Sequence, residues 1–248
     1  MWTLFRERGF IKEADADFEH ACEALRDFLP LAYTFEQLMP AVPPDELRPR
    51  AQALLKDEVL PNTGSQDTPG RDVQSELYFA AVCQAAGLRP VLAEPDIVVR
   101  QGGQRYGLAV KRLKNTAKLQ RRFSAGARQI EESGMPGFVI LHLSLALNPD
   151  NRRICTPLGD RAFFQMEDAR LSRVMRQHAD SFVKWRQGRE VRGVILHDDI
   201  ISKLADGNWS IRGFDLFSHI DKSNQRRQRE AHAFFRQYRR GIYNAIDC

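Results

Sequence analysis

Residues 94–111 read EPDIVVRQGGQRYGLAVK, and this stretch is the clearest indication of the fold in the sequence. Two runs rich in β-branched and aromatic residues flank the dipeptide Gly102-Gly103, which favours a tight two-residue turn between strands. The stretch therefore predicts a β-hairpin in which Gln101 faces Gln104.

The register of this hairpin brings charged side chains together. Counting outward from the turn, Asp96 pairs with Ala109 and Glu94 pairs with Lys111. All four side chains share one sheet face, because successive residues of a strand point to opposite faces. An acid and a lysine are therefore expected to meet near the open end of the hairpin, where Glu76 arrives from the preceding helix.

Helices and strands alternate around the hairpin. Helices are predicted over 14–29, 45–55, 71–86, 117–133, 163–187 and 222–238, and further strands over 137–145, 191–197 and 209–217. This alternation predicts an α/β fold with a mixed central β-sheet flanked by helices. Residues 1–60 are expected to form a small helical N-terminal region, residues 61–70 a linker and residues 71–248 the main domain.

Positive charge is concentrated in the main domain. The chain carries 37 Lys and Arg against 32 Asp and Glu, but residues 1–60 hold seven basic and twelve acidic residues. The segment Lys111–Arg128 holds seven basic residues and no acidic one. Such a cluster is expected where a protein meets a nucleic-acid phosphate backbone, although a solvated helix face gives the same pattern. The nucleic-acid-binding candidates in this segment are Arg112, Lys114, Lys118, Arg121 and Arg122.

The composition argues against several other classes of protein. No stretch approaches the roughly 20 apolar residues of a membrane span, and the N-terminus lacks the pattern of a signal peptide. We therefore expect a cytoplasmic protein without a membrane partner. The four cysteines are widely spaced and show no zinc-site spacing.

The charged end of the hairpin predicts the chemistry of a hard metal ion. Carboxylate oxygens are the ligands that Mg²⁺ prefers, so Asp96 and Glu76 are the first candidates to bind Mg²⁺ (or Mn²⁺). A neighbouring lysine such as Lys111 can position an attacking water or stabilise charge on a phosphate. Each residue also has a structural interpretation: Asp96 as a strand start, Lys111 as part of the basic face, and Glu76 as the ion-pair partner of Arg71 or Arg89.

These residues resemble the motif of the PD-(D/E)xK nuclease superfamily, which has the restriction-endonuclease fold. The pattern there is a helix glutamate, then Pro-Asp, then Glu-x-Lys, and Glu76, Pro95-Asp96 and Lys111 match it over less than half of the chain. The resemblance implies a Mg²⁺-dependent nuclease that hydrolyses phosphodiester bonds in DNA, often as a homodimer. It also implies that Asp96 and Glu76 bind the metal, that Lys111 assists the water, and that Gln129 lies near the active site.

The sequence departs from this motif at one position. Ala109 stands where the motif has glutamate, and alanine cannot bind a metal. Three interpretations follow: Glu94 supplies the missing carboxylate; Glu76, Asp96 and the Val110 carbonyl suffice with additional waters; or the site is inactive and the protein is a nucleic-acid-binding or assembly module.

Two histidines lie on predicted strands outside the motif. The run His197-Asp198-Asp199 has the residue types of a metal cluster, but its position favours a solvated strand end. His142 lies on a buried strand and is interpreted as a hydrogen-bonded core histidine rather than a ligand.

Overall fold

The structure, a computed structural model, describes residues 28, 30–55, 69–148, 154–155, 160–186, 188–203, 209–220 and 224–244. It is an α/β protein with a mixed β-sheet of six strands and helices packed on both sheet faces. The predicted fold class is therefore confirmed. Across the described residues, no helix is both long enough and apolar enough to cross a membrane.

The elements follow the predicted order closely. The helices of the described ranges are α1 (residues 30–38), α2 (Pro44–Leu54), α3 (Pro69–Ala85), α4 (Leu119–Ser133), α5 (Ser144–Leu147), α6 (Asp160–Trp185) and α7 (Gln225–Asn244). The strands are β1 (Ile97–Gln101), β2 (Gln104–Arg112), β3 (Gly137–His142), β4 (Ile154–Cys155), β5 (Val191–Lys203) and β6 (Trp209–His219). Helix α1, which lies between the predicted helices 14–29 and 45–55, and the short elements α5 and β4 were not predicted.

The hairpin forms in the predicted register. Gln101 pairs with Gln104, and the ladder continues to the pair Ile97 and Leu108. Gly102 and Gly103 have φ angles of 55° and 82°, which side chains other than glycine's rarely allow. The two glycines therefore fix both the turn and the register.

Strand β2 continues beyond the end of β1 and leaves one edge uncovered. The β1 ladder ends at Leu108, whereas β2 runs to Arg112 and pairs in parallel with β3 along its other side. Strand β3 in turn pairs in parallel with β5, and β6 pairs antiparallel with β5. Arg112, His142 and His197 are consecutive partners across three strands, so they lie at one level of the sheet.

Each face of the sheet carries its own core, because alternate strand residues point to opposite sides. On one face, α3 and α7 cover residues such as Leu108 and Ile140. On the other face, α4 and α6 cover Ala109, Val139 and Leu141. Lys111 shares the second face, since its Cγ lies 3.4 Å from the position that a Cβ on Gly126 of α4 would take.

The N-terminal helices pack against the first of these cores. Tyr33, Leu38 and Leu47 belong to the same buried cluster as α3 and α7, and the Tyr33 hydroxyl donates to the Gly241 carbonyl (3.2 Å). The predicted helix over 14–29, apart from Phe28, lies outside the described residues, and so do residues 61–68 of the predicted linker. The assignment of residues 1–60 as a separate region therefore stays a prediction.

Candidate functional site

A cleft of about 320 Å³ opens at the uncovered edge of β2. Helix α3 reaches it from one face of the sheet and helix α4 from the other. The lining residues are Asp72, Glu76, Val110, Lys111, Arg122, Ala125, Arg128, Gln129 and Glu132. The cleft therefore contains Glu76 and Lys111, which the sequence analysis selected from elements far apart in the chain.

Asp96 is bound to the same edge of β2. Its Oδ2 atom accepts hydrogen bonds from the Val110 backbone N–H (2.7 Å) and from Lys111 Nζ (2.9 Å). The side chains of Asp96 and Lys111 are 10% and 13% exposed, so this ion pair is largely shielded from solvent. The predicted meeting of the aspartate and the lysine at the end of the hairpin is confirmed.

Gln129 of α4 completes this group of side chains. Its Nε2 atom donates to the Pro95 carbonyl (3.1 Å) and lies 3.4 Å from Asp96 Oδ1. Because both contacts are acceptors, the amide orientation is settled, and the oxygen Oε1 lies on the other side. That oxygen is buried and has no hydrogen-bond partner among the described residues. The acceptor oxygen of Gln129 thus lies buried and without a described partner, on the side of the amide that faces away from Asp96.

Glu76 approaches from α3 and is paired with an arginine. Its Oε2 atom lies 3.3 Å from Arg50 Nη1, and Arg50 also donates to the Leu92 carbonyl (3.2 Å). Burial and the nearby charge of Asp96 raise the pKa of Glu76 to about 7, against the opposing charges of Arg50 and Lys111. The ion-pair partner that the structure shows is Arg50, which the sequence did not single out. Because Arg50 holds the carboxylate beside the cleft, the ion pair is compatible with a metal-ligand role of Glu76.

Asp72 is a cleft residue that the sequence analysis missed. It lies four residues before Glu76 on α3, so the two carboxylates occupy neighbouring positions on one helix face. Arg122 Nη1 of α4 lies 3.9 Å from Asp72 Oδ2 across the cleft. Burial raises the pKa of Asp72, and the charge of Arg122 opposes that shift. The helical spacing from Glu76 was the available signal for this residue.

Ala109 lies under α4 and not in the cleft. Its side chain is fully buried, and a Cβ on Gly126 would lie 3.4 Å from its Cβ and 2.9 Å from Val139 Cγ1. Helix and strand are thus packed so closely that the position has no space for a glutamate. The departure from the motif at this position is built into the packing of the sheet.

The expected pairing of Glu94 with Lys111 is wrong. Val91 and Val98 exchange two backbone hydrogen bonds of 2.8 Å, so the chain turns back on itself before β1 begins. Glu94 lies in that turn, is exposed, and does not line the cleft. A metal-binding role of Glu94 stays a prediction that the geometry does not support.

The predicted basic residues lie around the cleft and on the surface of α4. Arg122 lines the cleft together with Arg128, while Lys118 and Arg121 are exposed. Lys114 is half-buried in the loop before α4. Arg112 instead lines a separate cavity on the other face of the sheet.

A second polar cluster lies on the sheet face that α3 and α7 cover. His142 of β3 and His197 of β5 both direct Nε2 at the carboxylate of Asp199, at 3.0 and 2.9 Å. Asp215 of β6 lies 3.0 Å from His197 Nδ1. The expectation of a solvated strand end at His197-Asp198-Asp199 is wrong, because β6 pairs along this part of β5 and the three residues are buried.

The charges of this cluster compensate one another. Burial disfavours the charged form of His197, but Asp199 and Asp215 outweigh it and raise the pKa of His197 to about 10. Burial equally disfavours the Asp199 carboxylate, yet the histidines hold the pKa of Asp199 below its usual range. The interpretation of His142 as a hydrogen-bonded histidine agrees with its contacts to Ser75 Oγ (3.1 Å) and Ser144 Oγ (2.9 Å).

Comparison of the chain with known protein families, with curated proteins and with solved structures finds no match.

Proposed function

We propose that this chain is a metal-dependent nuclease that hydrolyses phosphodiester bonds in DNA. The observation that carries the proposal is the group formed by Asp96, Lys111 and Gln129 at the uncovered edge of β2, with Glu76 beside it. A carboxylate paired with a lysine at the edge of a cleft is the combination that the resemblance implies for phosphodiester hydrolysis.

The order of elements supports the same proposal. Helix α3, the β1–β2 hairpin, helix α4 and strand β3 follow one another as helix, antiparallel strands, helix and parallel strand. This order resembles the core of the PD-(D/E)xK nucleases, although two antiparallel strands stand where that core has a three-strand meander. The resemblance assigns the site to Glu76, Asp96 and Lys111.

The residues of the cleft fit Mg²⁺ (or Mn²⁺). Asp96 and Glu76 would supply carboxylate oxygens. Gln129 would supply its amide oxygen once the amide group turns over, because Nε2 faces Asp96 Oδ1 in the structure. Oxygen donors of this kind suit a hard cation that keeps several waters. When bound, such a cation would stabilise negative charge on the phosphate undergoing hydrolysis. In this donor set, Gln129 replaces the glutamate that Ala109 lacks.

The protein side chains have separate tasks in this proposal. Lys111 is held by Asp96, so its ammonium group is positioned to orient a water or to stabilise charge on the phosphate. Arg122 and Arg128 line the cleft and would bind the phosphates on either side of the reacting one. DNA is thus the proposed partner and Mg²⁺ the proposed cofactor.

A cleavage assay tests the proposal. Supercoiled plasmid and single-stranded DNA are incubated with the full chain in Mg²⁺, in Mn²⁺ and in EDTA, for the wild type and for Asp96→Asn. We expect cutting that requires the metal and falls by about 100-fold or more in the variant, since an essential charge is removed. Asp168→Asn, at an exposed position of α6, is the matched control and should cut normally.

A second candidate function is a nucleic-acid-binding module that does not cut. The buried packing of Ala109 against Gly126 favours it, because the position cannot hold the usual glutamate. This candidate predicts salt-sensitive DNA binding without cleavage in any metal. Metal-dependent cutting that Asp96→Asn abolishes excludes it.

A further inference from the structure

The cluster of His142, His197 and Asp199 lies apart from the proposed nuclease site. Both imidazole rings pack edge-on against Phe79 of α3, with ring centroids 5.8 and 4.9 Å away. Lys111 points to the opposite face of the sheet, toward α4. The cluster therefore needs an explanation of its own.

We propose that these three residues form a second metal site, for a divalent transition-metal cation such as Zn²⁺. The potential ligand atoms, the histidine nitrogens and an Asp199 oxygen, all lie within 4.8 Å of one another. Two imidazoles and a carboxylate are a donor set that suits Zn²⁺ better than Mg²⁺ or Ca²⁺, which prefer oxygen ligands.

The surroundings of the ligands match those of metal sites. A metal-bound histidine almost always donates its other ring N–H to a neighbouring acceptor, which fixes the tautomer. His197 Nδ1 lies 3.0 Å from the Asp215 carboxylate. An ionised carboxylate has no proton to donate and acts only as an acceptor. His142 Nδ1 lies 3.1 Å from Ser75 Oγ, and the Ser75 hydroxyl donates to the Arg71 carbonyl (3.2 Å). Both histidines thus direct Nε2 toward the Asp199 carboxylate, and the Nε2 atom of His142 would exchange its contact with Ser144 Oγ (2.9 Å) for the proposed cation.

The Asp199 carboxylate lies between the two histidines, and a hydrogen bond holds the backbone of this residue. The Asp199 backbone N–H donates to Ser144 Oγ (2.7 Å), and each carboxylate oxygen faces one histidine Nε2. With Nδ1–H of His197 donated to Asp215, its Nε2 lone pair would face an Asp199 oxygen directly. Such a contact is favourable only when a proton or a cation lies between nitrogen and oxygen, and the proposal assigns a cation.

The site has an open side. A cavity of about 40 Å³ adjoins it and is bordered by His142, Asp199 and Ser144 together with Arg71 and Arg112. That volume holds a water molecule. Zinc sites that bind a water or a substrate have three protein ligands and one open position. Structural zinc sites are closed by four protein ligands.

The competing account needs no metal. In it, a protonated His197 lies between Asp199 and Asp215 as a buried ion cluster that stabilises the contact of β5 with β6. The two accounts differ in one measurable respect, because the ion cluster takes up no Zn²⁺.

Calorimetric titration of the full chain distinguishes them. The protein is stripped of metal with a chelator, dialysed into excess Mg²⁺ to saturate oxygen-ligand sites, and titrated with Zn²⁺. We expect a single site per chain whose affinity falls by about 100-fold or more in Asp199→Asn and in His142→Ala. The Asp215→Asn variant should lose roughly 10- to 100-fold, since it alters only the partner of a ligand.

Two controls keep the result interpretable. His178→Ala, a histidine on α6 outside the cluster, should bind Zn²⁺ like the wild type. Asp96→Asn should also bind Zn²⁺ like the wild type, so the zinc proposal does not depend on the nuclease proposal.

If circular dichroism shows that a cluster variant does not fold, the visible spectrum of Co²⁺ bound to the wild type distinguishes the two accounts. A spectrum like that of hydrated Co²⁺ overturns the proposal. Absence of Zn²⁺ uptake by the folded wild type also overturns it, as does unchanged affinity in folded Asp199→Asn.

Discussion

Ala109 is the residue at which the proposed active site departs from the motif. It lies on the face of β2 that α4 covers, where the missing side chain of Gly126 allows helix and strand to approach closely. The donor that the motif places on β2 is therefore absent, and we propose that the Gln129 amide of α4 supplies an oxygen in its place. In this proposal the ligand comes from α4 instead of β2 and lines the same cleft.

Restoring the motif with Ala109→Glu should destabilise the protein. The new carboxylate would be buried without a partner in a position that is 0% exposed, at a cost of about 3 kcal/mol or more. Urea unfolding of both proteins measures the loss. The same substitution at the exposed Ala117 is the matched control and should change stability little. A stable Ala109→Glu variant that cuts DNA faster than the wild type would contradict the packing argument.

Gln129→Ala tests the replacement donor directly. Removing the amide should lower the cleavage rate by roughly 10- to 100-fold and raise the Mg²⁺ concentration needed for half-maximal cutting, because an oxygen beside Asp96 is lost. Cleavage measured across a Mg²⁺ titration gives both quantities. Gln120→Ala, at an exposed position of the same helix, should behave like the wild type. An unchanged Mg²⁺ requirement in Gln129→Ala would remove Gln129 from the donor set.

At the scale of elements, α4 combines two functions on one helix. Its buried stripe, which includes Phe123 and Ile130, anchors it to the sheet. Its outer surface and the turn before it carry Lys118 and Arg121, both exposed. The helix therefore presents positive charge next to the cleft that Glu76 and Lys111 line.

Substituting Lys118 and Arg121 by alanine should weaken DNA binding through electrostatics alone. Each lost phosphate contact is expected to reduce the slope of log affinity against log salt by about 1. Fluorescence anisotropy with the same DNA at several salt concentrations measures the slope. Arg176→Ala, at an exposed position of α6, is the control, and an equal effect there would show that the whole surface acts and not this helix.

Elements were predictable from the sequence where local chemistry determines them. The glycine pair set the hairpin and its register, and the register placed Asp96 beside Lys111. The error at His197-Asp198-Asp199 has a non-local cause, because those residues are buried by β6, a strand that begins later in the chain. Gln129, which was selected by resemblance, lies 3.4 Å from Asp96 Oδ1. The position of Glu94 depended on a turn between Val91 and Val98 that strand alternation does not reveal.

At the scale of the whole molecule, buried acidic groups couple stability to pH. Burial raises the pKa of Glu167 on α6 from 4.5 to about 7, with Arg170 opposing the shift and Asp198 adding to it. The folded protein thus binds this proton more tightly than the unfolded chain does. The contribution is fully present below pH 4.5, and it is lost as the pH rises through about 7.

Glu167→Gln should flatten this part of the pH profile. The free energy of unfolding of the wild type is expected to fall between pH 4.5 and 7, and the substitution removes up to about 3 kcal/mol of that fall. Part of the slope remains, since burial also raises the pKa of Asp198 and Asp215. Urea unfolding at a series of pH values tests this, with Asp168→Asn as the exposed control. An identical pH profile in Glu167→Gln would contradict the assignment.

The measurement that tests the nuclease proposal most directly compares cleavage and binding in Lys111→Ala. Metal-dependent cutting should fall by about 100-fold or more, because the group that orients the water or stabilises charge is gone. Affinity for the same DNA should stay nearly unchanged, since the surrounding arginines remain, and Lys184→Ala on α6 should behave like the wild type in both assays. A Lys111→Ala variant that cuts at the wild-type rate would contradict the proposed active site.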